Sequence, residues 1–256
     1  MAVLIDENIG LSQTTGIIHS VETCGTVDGP GIRYVIFAQG CPLKCQYCHN
    51  PDTWNMNREG SMVMSVPELM ADIVTYKPFM EFSGGGVTLS GGEPLLQANF
   101  AAALFKACKE SGIHTALDTS GYAPVGLSAP VFHYTDLVLL DIKSGNAENF
   151  KQITGRQLGP VKATAEYLSE NGIPMWIRFV LVPGLSDNTE HIKELAEFIA
   201  GLKTVEKVEV LPFHKMGEYK WADLGLDCKL AQTQPPDENA VEQAKIIFRK
   251  KGICTN

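Results

Sequence analysis

The chain has 256 residues, 45% apolar and 20% charged, with a formal net charge of −8. That is the composition of a globular protein large enough for one α/β domain or two small ones. The negative balance counts against a nucleic-acid partner, which needs clustered Lys and Arg, and no apolar run approaches the roughly 20 residues that cross a bilayer.

Residues 1–16 read as an N-terminal leader. "MAVLIDENIGLSQTTG" has no basic n-region and carries Asp6 and Glu7, so it is not an export signal. The expected compartment is the reducing cytoplasm, where clustered cysteines more often hold metals or react than cross-link. A glycine-rich segment, "CGTVDGPGIR" (24–33), leads into a first strand, "RYVIFA" (33–38), and the cysteine segment "GCPLKCQYCHN" (40–50) follows it. Further strands are expected at "GVTLS" (86–90), "IHTALDT" (113–119), "DLVLLDI" (136–142), "PMWIRFVLV" (174–182) and "KVEVLPF" (207–213). Helical periodicity covers 66–77, 95–111, 160–171, 188–201 and 237–251, with a shorter stretch over 124–133. Cys108, in "AALFKACKE", reads as a small buried apolar residue. The breaker "QTQPPDEN" (232–239) precedes the last helix, and nothing marks a second domain within 17–256.

Strands separated by helices of this length imply a parallel sheet with crossover connections. Near-continuous apolar strands fit a sheet covered on both faces. A closed eight-unit barrel takes about 250 residues, so the expected fold is α/β, a partial (β/α)6 TIM-like barrel, with a doubly wound open sheet as competitor. The chemistry-bearing segments all fall at the carboxyl ends of these strands, where parallel α/β folds place their sites.

Cys41, Cys45 and Cys48 form a C-x3-C-x2-C group. Three thiols are too many for one disulfide and one short of a closed zinc site, although three ligands and an open position suit a catalytic zinc. A zinc-holding interaction module is therefore the reading from a different class. Three soft thiolates also suit an iron–sulfur cubane, which would keep one iron free of any protein ligand.

With Tyr47 before the last cysteine, this group resembles that of the radical S-adenosylmethionine (SAM) enzymes. The ordered set "TVDGPGIR" (26–33), "YCHNPDTW" (47–54), "SGGGVTLSGGEPLLQ" (83–97), "LDTSG" (117–121), "LLDIK" (139–143), "WIRFVLVPG" (176–184) and "LPFHKMGEYKW" (211–221) is similar to the glycyl-radical-enzyme activating enzymes within that group. No cysteine-rich insert follows the first motif, which favours the type acting on pyruvate formate-lyase over activators of other glycyl-radical enzymes.

The resemblance implies a [4Fe-4S] cluster on Cys41, Cys45 and Cys48, with SAM on its open iron. It places Tyr47, His49, Gly91, Gly92, Glu93, Asp141, Lys143, Arg178, Val180, Leu211 and His214 around SAM. It implies a monovalent cation at Asp118, Thr119 and Asp141. It puts the loop of Asp28, Gly29, Pro30, Gly31 and Arg33 at the barrel mouth, against the partner. The implied chemistry is reductive SAM cleavage to a 5′-deoxyadenosyl radical, which takes hydrogen from a backbone glycine of the partner. Flavodoxin or ferredoxin would supply the electron, no residue need act as acid or base, and the protein would be a monomer.

Overall fold

A computed structural model of the protein describes residues 14–256, so most of the expected leader lies outside the described residues. Eight strands form one sheet: β1 (Thr15–Gly25), β2 (Arg33–Ala38), β3 (Met62–Ser65), β4 (Gly86–Gly91), β5 (Thr115–Thr119), β6 (Leu137–Asp141), β7 (Met175–Leu181) and β8 (Val205–Pro212). Their order is β3-β1-β2-β4-β5-β6-β7-β8. The six strands from β2 to β8 run parallel, and they match the six expected from the sequence within about two residues at each end. The partial six-stranded barrel is thus the right architecture. β1 and β3 extend it as an antiparallel flap beside β2.

The helices are α1 (Val66–Ile73), α2 (Lys77–Ser83), α3 (Ala98–Glu110), α4 (Val125–His133), α5 (Ala147–Thr154), α6 (Gly159–Glu170), α7 (Thr189–Ala200), α8 (Glu218–Asp223) and α9 (Glu238–Arg249). Among the described residues no helix is long and apolar enough to cross a membrane. α1 starts at a capping box in which Ser65 and Glu68 satisfy each other's backbone N–H groups. Asp237 caps α9 in the same sense, through the Ala240 N–H. Cys108 is fully buried in the core, as its sequence context suggested.

Side chains alternate between the two faces of each strand, and the faces differ in chemistry. Val138 and Leu140, Ile177 and Phe179, and Val208 and Val210 join the main core. Ala116, Leu137 and Leu139, with Trp176, form a separate small apolar floor on the other face. Two residues further along that face, toward the carboxyl ends, the positions become Asp118, Asp141 and Arg178. The barrel interior therefore turns from apolar to charged along its axis, and the charged end is where a ligand can be met.

The hairpin register pairs Gly25 with Arg33, so the "DGPGIR" loop stands at the amino end of β2 rather than at the carboxyl-end mouth. Val27 and Asp28 reach the interior from that side. Arg33 is 0% exposed, which corrects the expectation that it meets a partner directly. Its guanidinium donates to Thr88 Oγ1 at 2.9 Å and to the carbonyls of Val87 and Pro30. It also lies 3.2 Å from His114 Nδ1. Burial pulls its pKa down to about 10. Arg33 is a brace between the loop and β4. Arg33→Ala should destabilise the protein by about 2–4 kcal/mol, through the void and the orphaned acceptors it leaves. Urea denaturation reads this as a lowered midpoint; an unmoved midpoint would contradict the bracing role.

Candidate active site

Beyond β2 the chain is pinned from two sides. Gly40 N–H and Cys41 N–H donate to the Thr53 and Trp54 carbonyls at 2.7 and 3.3 Å. Lys44 and Gln46 N–H donate to the carbonyls of Thr154 and Ile153, at the end of α5, at 2.9 and 3.0 Å. The fixed loop places Cys41, Cys45 and Cys48 on one wall of a cavity of about 520 Å³ at the carboxyl ends of the strands. Burial pushes all three thiols upward, Cys45 to about 12 and Cys41 further, with the Glu93 carboxylate adding to the shift at Cys41. Left alone, all three are neutral thiols at pH 7. An electron-poor group that binds thiolates is what gives such a set a purpose. Among the described residues no three His, Cys, Asp or Glu side chains are spaced to hold a single metal ion. Three soft sulfur donors on one cavity wall are the donor chemistry that suits an iron–sulfur cluster.

The glycine segment after β4 is docked on the root of this loop. Gly92 N–H donates to Ala38 O at 2.8 Å, and Glu93 N–H to Gly40 O at 2.7 Å. Gly91 has φ +109°, and a Cβ there would stand 2.3 Å from Ala38 N. At Gly92 a Cβ would stand 2.1 Å from Gly40 O and 3.3 Å from the Cys41 Cβ. The glycines are thus required by the close approach of two backbones, and they line the cavity as a consequence. Glu93 is fully buried behind them and does not line the cavity. Its carboxylate accepts from Thr119 Oγ1 at 2.5 Å, Ser120 N–H at 2.9 Å, Leu95 N–H at 3.1 Å and the Ser120 hydroxyl. It ties the end of β4 to the end of β5.

Opposite the thiols lies a layer of charge. The sheet register sets Asp141 beside Arg178 and Arg178 beside Glu209, alternating in sign across β6, β7 and β8. Arg178 donates to Asp118 Oδ2 and Glu209 Oε2, each at 3.2 Å, and to the Val27 carbonyl of the loop before β2. Its donors are largely committed. Lys143 Nζ lies 2.7 Å from Asp141 Oδ2 and 5.7 Å from the Tyr47 ring centroid. Asp141 holds its pKa well above the usual ammonium value against the cost of burial. Asp118 accepts from Ser90 Oγ at 2.6 Å, while its Oδ1 is buried without a partner. Burial raises its pKa to about 6, opposed by Arg178.

The third wall is aromatic and apolar. The His49 and His214 rings have centroids 4.1 Å apart, tilted by 34°, and His49 Nε2 lies 3.2 Å from the His214 carbonyl. Burial and the neighbouring His214 both lower the His49 pKa, favouring a neutral ring. Val180 and Leu211 line the cavity beside them. Tyr47 packs with Ile153, Val182, Leu185, Phe213 and Leu230, so its contribution is packing.

All the residues expected around SAM except Glu93 therefore meet at one cavity, together with Asp28 from the loop. Ser90, Ser120, Phe37 and Asn50 line it too and were not singled out from sequence. Ser90 was legible in principle, since it opens the quoted "SGGEP" run and shares a strand face with Thr88. The brace around Asp52 was not. Its carboxylate meets Arg58 at 3.4 Å and, from distant parts of the chain, His19 Nε2 at 2.8 Å and Lys220 at 3.3 Å.

Comparison with known proteins agrees with this geometry. Residues 35–199 match the family model of the Radical SAM superfamily. The chain is 48% identical over 237 residues to a pyruvate formate-lyase-activating enzyme of Staphylococcus epidermidis, covering 90% of this chain and 93% of the relative. It is 45% identical to the pyruvate formate-lyase 1-activating enzyme of Escherichia coli K12, covering 93% and 96%. A crystallised domain of a pyruvate-formate lyase-activating enzyme from Bacteroides vulgatus superposes with a TM-score of 0.58 and 29% identity, over 68% of this chain and 98% of that one. A radical SAM methyltransferase from Sphaerobacter thermophilus shares the fold at 16% identity, with a TM-score of 0.65 over 94% of this chain and 76% of that one. A three-thiol cavity on a partial barrel and these relatives point the same way: the chain belongs to the radical SAM superfamily and, within it, to the family of pyruvate formate-lyase activating enzymes.

Proposed function

We propose that this protein activates a glycyl-radical enzyme, pyruvate formate-lyase, by placing a radical on one of its backbone glycines. The observation that carries the reading is the set of three thiols facing Lys143 and the His49–His214 pair across one cavity, in a chain 45–48% identical to activating enzymes. When bound, a [4Fe-4S] cluster and SAM supply the one-electron cleavage of a sulfonium C–S bond and a carbon radical that takes hydrogen from a glycine.

The residues of the chain bind, orient and shield. Cys41, Cys45 and Cys48 hold the cluster, and the pinned loop fixes its position. Lys143 lines the cavity with the thiols and, held by Asp141 alone, is the cation best placed for the SAM carboxylate, since Arg178 is engaged by Asp118, Glu209 and Val27. A charge-assisted bond there is stronger than a neutral one. His49 and His214 offer flat rings to the adenine, over Val180 and Leu211. A monovalent cation beside the carboxylate belongs to the same proposal. The unpartnered Asp118 Oδ1 and the partly exposed Asp141 supply oxygens, while the Thr119 hydroxyl is already committed to Glu93 and Gly121. The incoming polypeptide enters at the carboxyl-end mouth, meets Asp28 where that loop reaches the cavity, and completes the walls against water. The protein works in the cytoplasm as a monomer, leaving the cavity free for that partner.

Mixing anaerobic, reconstituted protein with SAM, dithionite and pyruvate formate-lyase should produce the doublet of a glycyl radical by electron paramagnetic resonance. A radical appearing only on a different glycyl-radical enzyme would overturn the partner assignment. Lys143→Gln should weaken SAM binding by roughly tenfold or more, the loss of one charge-assisted contact, while leaving iron content unchanged. Equilibrium binding of labelled SAM measures it, and unchanged affinity would remove Lys143 from the carboxylate site. Alanine at any one of Cys41, Cys45 or Cys48 should abolish the brown absorbance and SAM cleavage together.

A further inference from the structure

Two tryptophans that do not line the cavity are tied to the cysteine loop. Trp221 Nε1 donates to the Cys48 carbonyl at 2.9 Å, and the Trp54 carbonyl accepts from the Cys41 N–H at 3.3 Å. The two rings meet edge to face with centroids 5.2 Å apart. Trp221 is buried, whereas Trp54 is partly exposed. Exposed Lys44 covers it, its ammonium 4.6 Å from the ring centroid. Exposed Arg156 is anchored to the same loop, Nε donating to the Pro42 carbonyl at 2.8 Å.

These two cations differ from the other basic groups close by. Arg58 and Lys220 each pair with the Asp52 carboxylate, sharing its single negative charge. Neither Lys44 nor Arg156 forms an ion pair with a carboxylate among the described residues. Both belong to the one loop, Lys44 by its place in it and Arg156 by its bond to the Pro42 carbonyl. A chain of net charge −8 repels an acidic protein over most of its surface. An uncompensated positive spot beside the thiols turns that repulsion into orientation. The opposite side of the loop is the cavity, which substrate and target polypeptide occupy, so an electron has to enter from outside.

We propose that Lys44 and Arg156, above the Trp54 indole, form the docking surface for an acidic one-electron carrier protein, and that the electron enters at Cys48 through Trp54. This rests on the reading that the three cysteines hold a cluster. In the step, the carrier is oxidised by one electron and the cluster reduced by one, and no bond or proton is exchanged.

Reduced flavodoxin is the probe. Its anaerobic reaction with reconstituted protein is followed by bleaching of the cluster absorbance in a stopped-flow instrument, and binding of oxidised flavodoxin is followed by calorimetry. A Lys44→Glu/Arg156→Glu double variant, matched to the parent in iron content, should bind flavodoxin about tenfold or more weakly at low ionic strength and be reduced correspondingly slowly. The difference should largely vanish near 1 M salt, where the Debye length falls to about 3 Å. Trp54→Phe should keep the binding and slow the reduction. Dithionite, a small reductant that needs no docking, should drive SAM cleavage in the double variant as in the parent. Flavodoxin binding and reduction at parental levels in the double variant would overturn the docking surface. Failure of dithionite to drive SAM cleavage in the parent would instead overturn the underlying reading of the site.

Discussion

Three thiols share one buried wall, and burial alone keeps each of them protonated. As thiolates they would be repelled by one another and by Glu93 behind Cys41. A group that repays deprotonation with strong metal–sulfur bonding is what would turn all three into thiolates. The rest of the site is arranged around that demand. The loop is held at both ends by backbone hydrogen bonds, the glycine segment is seated on its root, and Lys143 sets a positive charge against Cys45 and Cys48.

The barrel serves two purposes with the same strands. One face is continuous with the core and is covered by helices. The other begins as the small floor around Leu137, Leu139 and Trp176 and ends in Asp118, Asp141 and Arg178. The charges at that end are nearly self-compensating through the Asp141–Arg178–Glu209 register. A polar interior is thus tolerated without ligand, and Arg178, which also holds the Val27 carbonyl, links the charge layer to the loop proposed to receive the partner.

Much of this was legible in the sequence because its signals are local. The six parallel strands are β-branched runs ending in motif residues, and their carboxyl ends gather the chemistry without any knowledge of tertiary contacts. The antiparallel flap was missed because "TGIIHSVETCG" mixes polar and apolar residues without a buried stripe. α5 escaped because its eight residues contribute only two large apolar side chains, Phe150 and Ile153, although Asn146 and Gly155 mark its ends. Arg33 and Glu93 sit inside recognisable motifs, yet both are fully buried braces. A motif shows that a residue matters, and only packing shows whether it faces the ligand or holds what does. The Asp52 hub joins residues from 19 to 220 and has no local signal at all.

The central proposal is that three protein thiolates would leave one iron of the cluster open to SAM, through its amino and carboxylate groups. Electron–nuclear double resonance on the reduced, reconstituted protein with SAM labelled at those groups with 15N and 17O tests it directly. The account predicts hyperfine coupling of both labels to the cluster. SAM bound stoichiometrically without either coupling would contradict it.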